Sequence, residues 1–254
     1  LPSMYHQFKQ LADIDITKEA MEVGPTTHYV MGGVRVDAET QMSSVPGLFA
    51  AGECAAGING ANRLGGNSLS DLLVFGKRAG EHAARFAREN AAGRIDPAQV
   101  DAANRAALAP FDGGAGTAAE SPYQVQHDLQ EMMQDLVGIV RTEPEMRKAL
   151  EGLQALRERA RRVRVDGNRE YNPGWHTALD LPNLLMVSEA VTRSALERRE
   201  SRGAHFRDDH PDKDPAFATV NVVVRKDADG AMKVSQAPIP PLPPELKQVI
   251  EEMK

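Results

Sequence analysis

The sequence lacks several features that would place the protein in a well-defined class. It has a single cysteine, Cys54, among 254 residues, which excludes an internal disulfide and suits a reducing compartment. No apolar run is close to the length of a transmembrane helix, about 18 residues. The sequence also has no charged segment followed by an apolar stretch, the pattern that predicts a signal peptide. Basic residues are not in excess, because 30 lysines and arginines stand against 36 acidic residues. The net charge of −6 argues against a nucleic-acid-binding protein.

The common short catalytic motifs are absent as well. The sequence has no G-x-x-x-x-G-K-[ST], C-x-x-C, H-E-x-x-H or G-x-S-x-G pattern, so neither a metal site nor a serine or cysteine hydrolase is expected. One stretch, from Gly114 to Ala119, fits the dinucleotide pattern G-x-G-x-x-A. Because it neither follows a predicted strand nor opens a predicted helix, we interpret it as a flexible linker.

The first part of the sequence changes from short apolar runs to a helical pattern. A glycine-rich stretch with β-type runs, residues 24–80, predicts strands joined by tight turns. A helix is predicted from its last part up to Gly93, and Ser68 followed by Asp71 predicts a capping box at the helix start. Residues 94–120, rich in alanine and glycine, are interpreted as a linker.

Helices dominate the next part, residues 121–202. Three apolar stripes at helical spacing predict three helices, interrupted by a turn at residues 172–174, and an antiparallel bundle is the simplest packing for them. Beyond the helices, the β-branched run 219–224 predicts a hairpin with residues 231–234. A proline-rich extended tail then leads to a short helix predicted at residues 245–254.

Three motifs in the glycine-rich stretch combine residues that carry chemistry. The first, Thr-His-Tyr-Val-Met-Gly-Gly, contains His28 just before a strand-like run. The second, Pro-Gly-Leu-Phe-Ala-Ala-Gly-Glu, is a predicted strand that ends in the carboxylate of Glu53. The third, Gly-Ala-Asn-Arg-Leu-Gly-Gly-Asn-Ser-Leu, is a loop that carries Arg63 into a helix. Each motif alone is weak, and the signal lies in their order and closeness.

In this order the motifs resemble the second half of the flavoprotein subunit of succinate dehydrogenase and fumarate reductase. The sequences Asn-Pro-Gly-Trp-His from Asn172 and Glu-Ser-Arg-Gly-Ala-His from Glu200 resemble the helical and C-terminal parts of that subunit. The resemblance thus covers essentially the whole chain. A cousin, L-aspartate oxidase, shares the Gly-Ala-Asn-Arg-Leu and Asn-Ser-Leu elements, whereas the pair Gly65-Gly66 and the C-terminal region favour the dehydrogenase and reductase.

The resemblance implies an α+β fold. This fold has the second half of a Rossmann-like FAD-binding domain, then an antiparallel helical bundle and a small C-terminal β-hairpin and tail. The implied units are the end of a capping domain (1–29), the C-terminal part of the FAD-binding domain (30–93), a linker (94–120), a helical domain (121–202) and a C-terminal domain and tail (203–254). Because the sequence opens without methionine and its motifs resemble only the second half of the subunit, we expect a piece that lacks the first half of its FAD site.

The resemblance also assigns roles to single residues, and their chemistry agrees. The planar guanidinium of Arg63 matches a substrate carboxylate, to which His28 would donate a second hydrogen bond. Glu53 resembles the acidic residue that binds FAD through its sugar hydroxyls. Ser68 and Leu69 begin the helix whose free N–H groups face the flavin. The purely structural alternatives are a surface ion pair for Arg63, a core histidine, a glutamate at a solvated turn and a helix cap for Ser68.

Three other features of the sequence bear on function but have no role assigned by the resemblance. Asn59 stands where many relatives carry a histidine before Gly-Ala-Asn-Arg, which removes a titratable group. Cys54 is predicted to be a small packed residue. The five arginines between residues 157 and 164 predict a solvated helix face, with a docking surface for another subunit as the minority alternative. The proton-transferring arginine of the family is expected outside this sequence.

The implied reaction is the interconversion of succinate and fumarate, two dicarboxylates, by hydride transfer to or from FAD. The implied partners are an iron–sulfur subunit that exchanges the electrons, a membrane anchor subunit bound indirectly and the missing N-terminal half of the flavoprotein. The implied location is peripheral, on the cytoplasmic side of the plasma membrane. The alternatives are an enzyme like L-aspartate oxidase, or a non-catalytic C-terminal fragment that acts as a scaffold.

Overall fold

The structure is a computed structural model that describes residues 2–22, 24, 27–112 and 119–253. Its helices are α1 (Pro2–Ala12), α2 (Asn67–Glu89), α3 (Pro97–Leu108), α4 (Pro122–Val137), α5 (Glu143–Ala160), α6 (Pro173–Glu197) and α7 (Pro244–Glu252). Its strands are β1 (Val140–Arg141), β2 (Phe206–Arg207), β3 (Val220–Lys226) and β4 (Met232–Pro238). The fold is therefore mixed, with long helices and two small sheets.

The strands predicted for residues 24–80 appear only as isolated bridges. Val34 pairs with Ala55 in parallel, and two antiparallel bridges, Val36 with Ser43 and Met42 with Phe49, follow. The prediction of strands is wrong for this part of the described chain, because each short run meets a single partner residue and a ladder needs neighbours along its whole length. The backbone between the bridges is nevertheless closely packed. A Cβ at Gly33 would lie 2.3 Å from the carbonyl oxygen of Cys54.

Helix α2 begins with a glycine and not with a capping box. Gly66 is the N-cap residue, with φ of +87°, and no side chain caps the helix. A turn closed by the Asn67 amide on the Leu64 carbonyl, at 3.2 Å, starts the helix before Ser68, so Ser68 lies inside the first turn. The predicted capping box is therefore wrong. The helix ends at Glu89, short of Gly93, where the Asn90 side chain donates to the Phe86 carbonyl at 2.9 Å.

The alanine-rich segment 94–120 contains a helix that its composition did not predict. Asp96 caps α3 by accepting a hydrogen bond from the Ala98 amide at 3.0 Å, and proline occupies the first turn. The indole Nε1 of Trp175 on α6 donates to the Ala107 carbonyl at 2.7 Å and ties the two helices together. The G-x-G-x-x-A stretch lies outside the described residues except for Ala119.

Helices α4, α5 and α6 share one hydrophobic core. Its buried members on the helices and on the segment after α5 are Val125, Leu129, Leu153, Leu156, Val163, Leu181 and Leu185. Burying each such leucine contributes about 1.5–3 kcal/mol. The segment before α4 lies beside the end of α5, because the Glu120 amide donates to the Arg162 carbonyl at 3.1 Å. The predicted turn at 172–174 is the start of α6, where Asn172 accepts from the Trp175 amide at 3.1 Å.

The arginines at the C-terminal end of α5 make more ion pairs with other segments than a solvated helix face predicts. Arg159 binds the carboxylates of Glu120 at 3.1 Å and Asp128 at 2.6 Å, and Arg157 pairs with Glu189 on α6. The prediction is therefore wrong for these two arginines, because acidic partners from neighbouring segments face them. Arg161 follows the prediction, since it is exposed and pairs with Glu158 one turn away.

The C-terminal hairpin is confirmed. Strands β3 and β4 pair antiparallel with Val224 opposite Val234, and the turn closes through the Gly230 amide on the Asp227 carbonyl at 3.0 Å. Helix α7 confirms the terminal helix. Along the described residues, no helix combines the length and the apolar composition needed to cross a bilayer.

Candidate functional site

Arg63 is a partly buried cation without an acidic partner. Its guanidinium carbon lies 4.5 Å from the centroid of the Tyr29 ring, a cation–π contact. Within residues 2–22, 24, 27–112 and 119–253, its buried Nε atom has no hydrogen-bond partner, and no carboxylate pairs with the guanidinium. The structure thus does not have the surface ion pair that was the structural alternative. Because buried polar groups are normally paired, this arginine is suited to an anion from outside the described chain.

The Tyr29 ring is in turn held between Arg63 and helix α2. The side-chain amide of Asn59 donates to Asp71 at 3.0 Å and lies 3.4 Å from the Tyr29 hydroxyl. Asp71 is buried in the second turn of α2. Burial raises the pKa of Tyr29, and the negative charges of Asp71 and Glu53 raise it further. The phenol therefore stays protonated at neutral pH and keeps its aromatic face for the guanidinium.

Glu53 lies against the same segment that carries Tyr29. It sits in a 3-10 turn, Gly52–Cys54, and its carboxylate accepts a hydrogen bond from the Val30 amide at 3.0 Å. A Cβ at Gly52 would lie 2.5 Å from the Leu72 side chain, so the turn packs directly on α2. One carboxylate oxygen is thereby fixed to the backbone, and the other remains an acceptor for a hydroxyl.

Cys54, the last residue of that turn, is exposed and donates to the Ala51 carbonyl at 3.3 Å. The prediction of a packed cysteine is wrong, because the backbone of the turn makes the close contact with Gly33. The thiol is left at the surface of the described chain.

His28 is exposed and directly precedes Tyr29. In the described part of the chain its ring makes no hydrogen bond, so it is not the core histidine of the structural alternative. The segment 28–30 reaches Arg63 through the Tyr29 ring and Glu53 through the Val30 amide. The structure therefore brings three of the predicted site residues to one segment, without a direct contact between them.

Ser68 and Leu69 occupy the first turn of α2. As in any helix, the first N–H groups have no partner inside the helix, and those of Ser68 and Leu69 have none elsewhere among the described residues. The positive end of the helix dipole lies at the same place. Ser68 is partly buried and Leu69 is 72% exposed. This end of α2 is suited to a negatively charged or electron-rich group.

Sequence reasoning missed the residues that hold the site together. The sequence pattern identifies Asp71 only as part of a capping box, and Tyr29 only as a neighbour of His28. The loop that carries Arg63 is also contacted by a residue far along the chain, since the Ala204 amide donates to the Ala61 carbonyl at 3.0 Å. No local pattern signals such a pairing. Among the residues that the structure describes, no cluster of histidine, cysteine, aspartate or glutamate is placed to hold a metal ion.

Comparison with known proteins places this geometry in a family. Residues 126–249 match the family described as "Fumarate reductase flavoprotein C-term", and residues 1–69 match "FAD binding domain". The fumarate reductase flavoprotein subunit of Mycobacterium tuberculosis is 36% identical over 245 residues, which cover 94% of this chain and 42% of the relative.

Two groups of solved structures agree with the sequence matches. A chain of Mycobacterium smegmatis Sdh1 in complex with UQ1 superposes with a TM-score of 0.90 at 50% identity, over 99% of this chain and 42% of that one. A chain of E. coli quinol fumarate reductase superposes with a TM-score of 0.86 at 34% identity, over 96% and 42%.

The chain thus spans about two fifths of the length of the curated relatives that it matches. The matched FAD-binding domain and the flavoprotein relatives identify FAD as the cofactor. The chain corresponds to the C-terminal part of the flavoprotein subunit of succinate dehydrogenase and fumarate reductase.

Proposed function

We propose that this chain provides the substrate-binding half of a flavoprotein that interconverts succinate and fumarate by hydride transfer to or from FAD. The observation that carries the proposal is Arg63, whose buried Nε has no hydrogen-bond partner among the described residues, although the chain has 36 acidic residues. An unpaired guanidinium selects an anionic ligand, and its planar fork matches one carboxylate with two parallel hydrogen bonds.

The substrate dicarboxylate is held by Arg63 and His28. Arg63 binds one carboxylate, while the Tyr29 ring, 4.5 Å from the guanidinium carbon, fixes the plane of the fork. His28 is exposed and lies next to Tyr29 in the chain, so its imidazole is free to donate to the same carboxylate. Two donors on one carboxylate orient the substrate for reaction and lower the entropic cost of reaching the reactive geometry.

The residues at the start of α2 fit the cofactor. FAD, when bound, accepts or donates the hydride. The free N–H groups of Ser68 and Leu69 and the positive end of the helix stabilise negative charge on the ring system. Glu53, held by the Val30 amide at 3.0 Å, accepts hydrogen bonds from sugar hydroxyls through its other oxygen. The orphaned Nε of Arg63 and the free amides of α2 are the features that support this fit.

An upstream half of the flavoprotein completes the site in this proposal. Three leucines near the start of α2, Leu64, Leu69 and Leu73, are 73%, 72% and 76% exposed, and exposed apolar side chains close together in the chain favour an interaction surface. Residues 1–29 would end a capping domain and residues 30–93 would complete a Rossmann-like FAD domain. The upstream half supplies the proton-transferring arginine, and helices α4, α5 and α6 form the antiparallel bundle of the helical domain.

The proposed assembly is the one that the resemblance to the family implies. In it, an iron–sulfur subunit exchanges electrons with the reduced flavin, a membrane anchor subunit binds that subunit, and the flavoprotein is peripheral on the cytoplasmic side of the plasma membrane. The relatives whose structures are solved include quinol-linked fumarate reductase and an Sdh1 complex, which supports partners of this kind.

The test is turnover of the full-length flavoprotein, assembled with its partners, in both directions. Arg63→Ala should lower turnover by at least about 100-fold, because the variant loses a charge-assisted bidentate contact, while the flavin absorbance near about 450 nm is kept. Arg78→Ala is the matched control, since Arg78 is an arginine on α2 that already pairs with Glu39 at 3.4 Å. Unchanged turnover in the Arg63 variant would refute the proposal.

Two assays separate the alternatives. Oxidation of aspartate in preference to succinate would assign the protein to the L-aspartate oxidase side. Flavin colour in the purified 254-residue chain would exclude a role as scaffold alone, because a scaffold has no need of the cofactor.

A further inference from the structure

We propose that the segment from Glu200 to Arg207 positions the Arg63 loop for its substrate, through a backbone contact made at Gly203 and Ala204. This inference rests on the proposed function, in which Arg63 binds a dicarboxylate. The contact is the hydrogen bond from the Ala204 amide to the Ala61 carbonyl, at 3.0 Å. Ala61 precedes Arg63 by two residues, so the contact acts on the backbone that carries the guanidinium.

Gly203 allows the two backbones to approach this closely. Its φ is +61°, and a Cβ at this position would lie 2.2 Å from the Ala61 carbonyl oxygen and 2.8 Å from the Ala61 Cβ. Both the backbone conformation and the lack of space therefore select glycine. Any side chain here must push the Ala61 backbone away and move the loop that carries Arg63.

A buried carboxylate makes the start of the segment rigid. Glu200 is fully buried and binds the Arg202 guanidinium through two hydrogen bonds, at 2.8 and 2.9 Å. It also accepts from Arg198 at 2.5 Å and from the Asp214 amide at 2.9 Å. Because all these donors are satisfied by one carboxylate, the backbone on the N-terminal side of Gly203 has a fixed place.

A buried arginine makes the end of the segment rigid. Arg207 is fully buried and forms a bidentate pair with Asp209, with both distances 2.7 Å. Its Nη1 donates to the Ala195 carbonyl at 2.9 Å, near the end of α6. The segment is thus attached to the helical core on one side and to the Arg63 loop on the other.

The loop itself has little that would fix its position. Gly57 and Gly60 both have positive φ values, +97° and +59°, and a Cβ at either would meet no atom within 4 Å. A glycine-rich backbone in open surroundings has many accessible conformations. The start of the loop is held by the Asn59 amide, which donates to Asp71 at 3.0 Å. Closer to Arg63, the outside contacts in the described chain are the Tyr29 ring and the Ala204 amide. Gly203 and Ala204 are positioning residues, since they act on Arg63 through Ala61.

The test compares two glycine variants in the full-length flavoprotein. Gly203→Ala should raise the KM for succinate by about tenfold, with kcat reduced less and FAD content unchanged, because misplacing a binding group by about 1 Å costs up to about 100-fold. Gly230→Ala is the matched control. It introduces a side chain at a similar φ, +87°, in the same part of the chain, but its nearest neighbour would be the flexible end of Lys226 at 3.6 Å. Equal KM values in wild type and Gly203→Ala would overturn the inference.

Amide hydrogen exchange gives a readout that needs no substrate. In Gly203→Ala, the amides of residues 57–66 should exchange at least about threefold faster than in wild type or in Gly230→Ala, because the hydrogen bond from Ala204 to Ala61 is lost. Unchanged exchange at these amides would overturn the inference. If exchange at these amides is faster in Gly203→Ala but the wild-type protein turns over neither succinate nor fumarate, the contact at Ala61 is supported and the proposed function is refuted. The two claims therefore fail separately.

If Gly203→Ala does not fold, Arg202→Lys carries the same test. Lysine keeps the charge beside Glu200 but loses the bidentate fork that fixes the residue before Gly203. A KM for succinate raised at least about twofold, together with faster exchange in residues 57–66, supports the inference, since both follow from a looser segment. Faster exchange confined to residues 198–214 would overturn it.

Discussion

The guanidinium carbon of Arg63 lies 4.5 Å from the centroid of the Tyr29 ring. This contact joins two segments that are 34 residues apart in the sequence, 63 − 29, and it is made by a cation that has no carboxylate partner among the described residues. A ring face attracts a cation without neutralising it. The arginine is therefore held in place while its hydrogen-bond donors stay available to a carboxylate.

Replacement of the Tyr29 ring should weaken substrate binding. Tyr29→Leu removes the cation–π contact, which is worth about 0.5–2 kcal/mol, so the KM for succinate should rise by about two- to thirtyfold in the full-length flavoprotein. Tyr29→Phe is the control, because it keeps the ring and should bind nearly as wild type does. Equal KM values for the leucine and phenylalanine variants would show that the ring does not position Arg63.

Loss of the Asn59 amide should destabilise the start of α2. Asn59→Ala removes the donor 3.0 Å from the buried Asp71 carboxylate, and an unsatisfied buried acceptor costs about 1–3 kcal/mol. Urea unfolding of the 254-residue chain, followed by circular dichroism, measures the change. The double variant Asn59→Ala, Asp71→Ala should cost less than the sum of the two single variants, because both groups of the pair are then gone. Strict additivity would mean that the hydrogen bond contributes nothing to stability.

The candidate site shows which residues a sequence can single out. Arg63, His28 and Glu53 are candidates from the sequence because each belongs to a short motif, and motif residues are adjacent in the chain. The contact between Ala204 and Ala61 was not predictable, because a backbone hydrogen bond between residues 143 apart, 204 − 61, leaves no residue-type signal. Tyr29 and Asp71 lie between these cases, since both stand in the motifs but act through partners that only the folded chain brings to them.

The same distinction between local patterns and distant partners applies to the elements of the fold. Helix α2, the β3–β4 hairpin and α7 were predictable from local spacing and turn residues, and the structure contains all three. The strands predicted in residues 24–80 depend on partners elsewhere, and only isolated bridges are present in the described chain. Helix α3 was not predicted, because the alanine- and glycine-rich composition of its segment also suits a linker. Alanine is the strongest helix former, and Asp96 with Pro97 provides the start.

The ion network at Glu200 should make stability depend on pH. Burial alone would raise the pKa of Glu200, but hydrogen bonds from Arg202, the Asp214 amide and Arg198 outweigh it and lower the pKa from 4.5 to about 2. A carboxyl whose pKa is lower in the folded than in the unfolded state stabilises the fold above the unfolded pKa. That stabilisation is lost as the pH falls from about 4.5 towards 2.

The variant Glu200→Gln should therefore be less stable than wild type by about 3 kcal/mol at pH 7. The difference should shrink as the pH is lowered through this range, because the wild-type carboxyl becomes protonated as well. Urea unfolding of both proteins at several pH values measures it. Glu158→Gln, at a side chain 55% exposed, should change little at any pH. A difference between Glu200→Gln and wild type that does not vary with pH would contradict the assignment.

The central claim is that the unpaired guanidinium of Arg63 binds a dicarboxylate carboxylate. Its most direct test is the dissociation constant of fumarate, measured by titration of the flavin absorbance of the full-length protein. Arg63→Ala should raise this constant by at least about 100-fold, and Arg63→Lys by less, because lysine keeps the charge but not the fork. Arg78→Ala should leave it unchanged. A dissociation constant for fumarate that is the same in Arg63→Ala and wild type would contradict the account.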